Sequence, residues 1–192
     1  MSQLTREDII RKIRAGDSLA DLDLSGADLS YEILKGADFS GANLESAHFQ
    51  NANLDGAVFK NVNLKKAYMF GCNLHKANFE GANLEDTNLQ DSNLDYACFK
   101  KATMIHVGLF GSSMEGADFS EAILDRARLK RANLRNARFD GARLHSAHLE
   151  RADLSNATFV NADLTNAMFT NAKVAGIVLD GANLTDTVGL NL

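Results

Sequence analysis

The chain has 192 residues, of which 45% are hydrophobic, and its 25 Asp plus Glu against 20 Lys plus Arg leave a formal net charge of −5. That balance fits one polar-surfaced domain and excludes a membrane span, because no apolar run approaches the ~20 residues needed. The N-terminus also lacks the basic-then-apolar layout of a signal peptide, so a cytoplasmic location is the default expectation.

The first predicted element is a helix. Thr5 with Asp8 three residues on makes a start like a capping box, Leu4 can staple onto Ile9, and Gly16 supplies a stop. These signals predict a helix of about Arg6 to Ala15 within a capping segment, 1–18, with Ile9, Ile10 and Ile13 laid against the adjoining repeat region.

From residue 19 to 187 the pattern changes. Every fifth residue from Leu24 to Leu184 is large and apolar, and 24 of the 33 positions two residues earlier are Ala. Five helical residues advance about 500° and five strand residues cross to the other face, so the chain must turn once per repeat. Gly26, Gly36, Gly41, Asn51, Gly56 and Asn61 stand two after each centre, where a tight turn needs positive φ. Phe39, Phe59, Phe79, Phe99, Phe119, Phe139 and Phe159 recur every twenty residues. Twenty residues therefore make one coil with four faces, and the seven rings form a core ladder. About eight coils at ~4.8 Å make a rod roughly 38 Å long. Absence of Pro suits backbone paired above and below. One inward slot holds Glu32 with Ile33 beside it, which reads as an irregularity near the cap.

Ala27-Asp28-Leu29, Ala42-Asn43-Leu44, Ala82-Asn83-Leu84 and Ala182-Asn183-Leu184 carry the pattern A-[D/N]-L and resemble the pentapeptide-repeat family. The resemblance implies an all-β fold, a right-handed quadrilateral β-helix without enzymatic activity. In some members it also implies binding to DNA gyrase as a mimic of duplex DNA.

Stacking at twenty residues names surface neighbours. Glu45, Lys65 and Glu85 should form one charge ladder, Lys60, Glu80 and Lys100 another, and Asn43, Asn63, Asn83 and Asn53, Asn73, Asn93 amide ladders. Cys72 falls in an inward slot and Cys98 outside, so the two thiols are not expected to pair. Tyr68, Phe70, Ile105 and Phe110, with His106 on a corner, form a candidate apolar contact patch. Arg126, Arg128, Arg131, Arg135, Arg143 and Arg151, with Lys130 and Arg138, form a basic collar that could meet an acidic partner. Lys130 should stack on Glu150 and Arg138 on Asp118.

The end of the chain, 188–192, carries no second helix. Ile177, Val178, Val188, Leu190 and Leu192 predict either a tail folded over the last coil or an edge that joins two copies into a homodimer.

No nucleophile elbow, phosphate loop or metal-binding cysteine pair is present, and His145 with His148 is the one metal-like spacing. No catalysis, cofactor or metal is expected. Direct nucleic-acid binding lacks the usual aromatic interleaving. Duplex DNA carries one charge per ~1.7 Å, so a full-length mimic would need roughly 22 uncompensated charges, far beyond the net −5. The resulting expectation is a scaffold for an unidentified protein partner, with gyrase binding as the alternative.

Overall fold

The computed structural model describes residues 4–191. Its one helix, α1, runs Arg6–Ala15. The Thr5 hydroxyl accepts the Asp8 N–H at 3.2 Å, and the Asp8 carboxylate accepts the Thr5 N–H at 3.3 Å. At the other end Gly16 takes φ +73°, and the Gly16 and Asp17 N–H groups donate to Ile13 and Lys12, a Schellman stop. The helix is too short and polar to stand alone; burial of Ile9 at 1% exposure, with Leu4, Ile10 and Ile13 packed beside it, fixes it on the first coil. No helix among the described residues is long and apolar enough to cross a membrane.

Beyond α1 the chain is a solenoid. Thirty parallel bridges, from Asp23↔Asn43 to Met168↔Val188, each join a residue to the one twenty positions later. Four bridges fall in each coil, one per pentad. The all-β expectation takes the form of single bridges and not strands: every bridge among the described residues is isolated, because the turns of each pentad leave one residue free to bridge. Leu24 N–H donates to the Asn43 carbonyl at 2.8 Å, Asn43 N–H to the Leu22 carbonyl at 2.9 Å, and Gly26 N–H to Glu45 at 2.9 Å. Within a pentad, Ala27 N–H closes the turn onto the Leu24 carbonyl at 3.1 Å. The ladder includes Val188, one residue beyond the 187 boundary read from the repeat.

Every corner residue from Asp21 to Asp186 has positive φ, and 23 of these are not glycine. None is Val, Ile or Thr, the side chains that suffer most in the left-handed region. Gly181 shows why some corners favour glycine: a Cβ there would meet Asn161 Oδ1 from the preceding coil unless that side chain turned away.

The interior is filled by side chains. The seven Phe rings stack near-parallel with centroids 4.6–5.1 Å apart and planes within 4°. The coil repeat sets this spacing, and Phe49 supplies edge-on contacts to Phe39 and Phe59. Where the small slot is not Ala, its polar atom is satisfied. Cys72, Thr87, Ser92 and Ser112 each donate to the carbonyl 23 residues earlier, at 2.7–2.9 Å.

Glu32 turns out to be paired. Arg6 Nη2 lies 2.6 Å from its Oε1 and donates to the Ser30 carbonyl at 2.9 Å, so the irregular slot is the clasp for α1. Nothing comparable closes the far end among the described residues: Val174, Ile177, Leu179, Leu184 and Leu190 are only partly buried, and Val188 is 55% exposed.

Candidate functional site: a basic groove beside an apolar face

The coil geometry sorts the surface candidates. Tyr68, Phe70 and Phe110 lie on one face and are 44%, 41% and 38% exposed. Ile105 and His106 are half-buried at the opposite corner of that face, where they border a separate cleft with Asp125, Arg126, His145 and Ser146. The single apolar patch expected from sequence is therefore split in two. Tyr68 is also partly occupied, since its ring stacks on His48 at 4.8 Å.

Phe110 belongs with the arginines instead. It borders an open groove of about 590 Å³ with Lys130, Arg131, Glu150, Arg151, Thr170 and Asn171. These come from two adjacent columns: the turn position holds Phe110, Lys130, Glu150 and Thr170, and the corner holds Gly111, Arg131, Arg151 and Asn171. The Arg131 guanidinium sits 5.7 Å from the Phe110 ring centroid, a cation–π distance.

Lys130 pairs with Glu150 Oε1 at 2.9 Å, as the stacking predicts. Burial works against the Glu150 charge, but its hydrogen bond to Lys130 and the nearby His148 hold its pKa below the usual value. Glu150 Oε2 is buried without a hydrogen-bond partner.

The rest of the collar is dispersed. Arg143 makes a two-pronged bond to Asp125, with Nη2 at 2.7 Å, and Arg135 lies 3.8 Å from Asp153. Arg138 pairs at 3.7 Å with Asp140 and not with Asp118, which is held by Lys100 at 3.2 Å. Lys100 thus leaves the expected ladder with Glu80, whose partner is Lys60 at 3.0 Å. Lys65 keeps Glu85 at 2.9 Å. Asn63 donates to Asn43, and Asn73 to Asn53, at 2.9 and 3.2 Å. Arg126, Arg128, Arg131 and Arg151 have no carboxylate within 4.0 Å among the described residues.

His145 faces Asn166 at 3.2 Å, while Asp125 is committed to Arg143. His148 lies 3.6 Å from Glu150 and bridges Arg128. No group of three metal-ligating side chains occurs among the described residues.

At the C-terminal end Ile177 and Leu190 are half-buried, Val178 is 36% and Val188 55% exposed, and Leu192 lies outside the described residues. A shallow depression there is bordered by Val174, Ala175, Gly176, Ile177 and Asn191.

Among solved structures the chain is similar to HetL, a pentapeptide repeat protein involved in heterocyst differentiation regulation from the cyanobacterium Nostoc sp. strain PCC 7120. The two are 24% identical, with a TM-score of 0.66 over 96% of this chain and 97% of that one. It is also similar to full-length QnrB1, a plasmid-mediated fluoroquinolone resistance protein, at 20% identity and TM-score 0.54, covering 85% and 91% of the two chains. At these identities the likeness concerns the fold. No curated protein sequence matches significantly. The profile described as pentapeptide repeats matches residues 18–46, 37–75 and 147–186, and that of a pentapeptide repeat region matches 69–139. With its unbroken ladder and these matches over more than half its length, the chain belongs to the pentapeptide-repeat family.

Proposed function

We propose that the chain is a non-enzymatic scaffold, a right-handed four-sided β-helix of about eight coils, that presents surface columns to a protein partner in the cytoplasm. The observation that carries this reading is the concentration of surface exceptions. Phe70 and Phe110 stand exposed in one column two coils apart, and Arg131 and Arg151, bordering the same groove as Phe110, have no carboxylate within 4.0 Å among the described residues. A repeat needs none of these residues for its core, so their cost in exposed apolar surface and uncompensated charge calls for a partner.

The test is affinity capture from the source cell with wild-type protein and with Phe70→Ser/Phe110→Ser, the fold being checked by circular dichroism. A partner held by the wild type and lost by the variant is expected. Equal recovery by both would overturn the role of this face.

The open C-terminal end supports a homodimer joined through Ile177, Val178, Val188 and Leu190. Light scattering should give twice the chain mass, and Ile177→Asp/Leu190→Asp should return it to a monomer. A wild-type monomer at high concentration would exclude the dimer.

The second reading, binding to DNA gyrase, draws on the likeness of fold to QnrB1. The charge pattern weighs against it, because Lys35, Lys60, Lys65, Lys100 and Lys130 each neutralise an acid along the rod. A supercoiling assay with and without a fluoroquinolone decides it: inhibition or drug protection would promote this reading, and no effect would remove it.

A further inference from the structure

We infer that the groove bordered by Phe110, Arg131, Arg151 and Glu150 binds an acidic peptide segment, clamping a carboxylate between the two arginines and seating a neighbouring apolar side chain on Phe110. This rests on the scaffold reading and gives it a partner chemistry.

Repulsion is the first observation. Arg131 and Arg151 occupy successive corners of one column, and the rings of Phe119, Phe139 and Phe159 show that coils here repeat every 4.6–4.7 Å. Two guanidinium groups based that close repel each other, and no carboxylate among the described residues lies within 4.0 Å of either. No other two successive corners of one column among the described residues carry like formal charge: Lys101 reaches Glu121 at 3.8 Å, Lys66 precedes Asp86, and Lys76 precedes Tyr96. Arginine also gains nothing as a turn residue at φ +60°. The pair makes sense when an anion bridges it, since two planar forks offer matched donors to one carboxylate.

Charge composition is the second observation, and it selects the class of anion. Glu150 borders the groove with Oε1 on Lys130. The lining therefore mixes cationic donors with a carboxylate, which suits a peptide that carries backbone N–H groups beside its acidic side chains better than a phosphodiester backbone, which offers acceptors alone. The basic stretch is also two coils long and contains Glu150 itself, so it does not continue as a stripe that could follow duplex DNA.

An apolar component is the third. Arg131 covers the Phe110 ring at 5.7 Å, yet the ring remains 38% exposed, which leaves a surface for a leucine-like or aromatic side chain.

The experiment is fluorescence anisotropy on the full chain with a labelled peptide alternating glutamate and leucine. Its glutamine–leucine counterpart and a labelled DNA duplex serve as comparison probes. Arg131→Gln/Arg151→Gln should weaken acidic-peptide binding by about tenfold or more, the loss of two charge-assisted contacts. Lys66→Gln/Lys76→Gln, which removes the same charge from exposed corners elsewhere, should change it by less than about twofold. Unchanged far-ultraviolet spectra and melting temperatures establish that both variants fold. Absence of saturable binding to the acidic peptide would overturn the proposal. So would equal weakening by both variant pairs, or binding of the duplex with the same dependence on Arg131 and Arg151. Any of these failures leaves partner capture through Phe70 and Phe110 to be judged by its own assay, so the two readings fail separately.

Discussion

The two ends of the rod solve the same problem differently. At the N-terminal end α1 covers the first coil with Ile9 fully buried, a capping box at Thr5, a Schellman stop at Gly16, and Arg6 clasped onto Glu32 and the Ser30 carbonyl. At the C-terminal end the last coil keeps its pentad geometry but leaves Val174, Ile177, Leu179 and Leu184 half-buried. A solenoid gains stability from coil to coil, so an end is held by its cap or by whatever docks there. Among the described residues the rod is therefore covered at one end and left with partly buried apolar side chains at the other.

Breaking the covered end should have the greatest consequence. Ile9→Ala should lower stability to urea by about 2–5 kcal/mol, because a fully buried branched side chain is lost under a helix that cannot collapse onto the gap. Leu184→Ala at the open end should cost about 1–2 kcal/mol, since that side chain is only partly buried. Equal costs would mean that the two ends are equally covered in solution.

A second comparison uses corners of the same backbone. Gly26 in the first coil and Gly181 in the last have φ of +67° and +69°, but a Cβ on Gly26 meets nothing within 4 Å, whereas one on Gly181 runs into Asn161 Oδ1. Gly26→Ala should cost about 1–2 kcal/mol, the penalty of the left-handed region alone. Gly181→Ala should cost about 1 kcal/mol more, and Asn161→Ala in the same chain should recover that extra part by removing the obstacle. Thermal melts of the three variants read this directly. The absence of recovery would mean that the neighbouring coil does not set the corner residue.

A smaller effect is expected at the clasp. Arg6 and Glu32 are partly exposed, and their pair sits at the edge of the capping helix. Arg6→Ala and Glu32→Ala should each cost about 1 kcal/mol or less, with a coupling energy of similar size in a double-mutant cycle. Additive losses would show that the pair is uncoupled and that the helix is held by the apolar contacts of Leu4, Ile9, Ile10 and Ile13.

What the sequence disclosed of this fold came from its regularity. The spacing of Leu24, Leu29 and Leu34 locates the turns, and the recurrence of Phe39, Phe59 and Phe79 counts four pentads to the coil, because both signals repeat many times and neither depends on a distant contact. The surface pairs were less legible. Stacking at twenty residues finds Lys65 with Glu85, but Lys100 with Asp118, Arg143 with Asp125 and Arg135 with Asp153 are eighteen apart. In an extended segment residues i and i+2 point the same way, so a long side chain can reach diagonally into the next coil, and a column rule misses it. Glu32 was illegible for another reason: its partner lies on α1, and periodicity says nothing about where a helix lands. Phe110 and Arg131 were visible as separate exceptions, but their union in one groove required knowing which corner each occupies.

The smallest perturbation compares the middle of the rod with its open end through thiol chemistry. Cys72 is buried, its Sγ–H donates to the Phe49 carbonyl at 2.9 Å, and burial pushes its pKa up from 9.0 to about 12. The neutral thiol is therefore favoured by folding. A folded pKa above the unfolded one gives a stabilising contribution that is intact below about pH 9 and fades as pH rises toward 12. In a Cys98→Ser background, Cys72 should resist a thiol reagent at neutral pH, because the reactive thiolate is suppressed and covered. A thiol placed by Ala182→Cys in the half-buried last coil should react readily. If the C-terminal end is closed by a second copy, Ala182→Cys should become protected as protein concentration rises while Cys72 stays unchanged. Equal reactivity of the two positions at every concentration would mean that the coils fray together, and that the contrast between a covered and a partly covered end does not survive in solution.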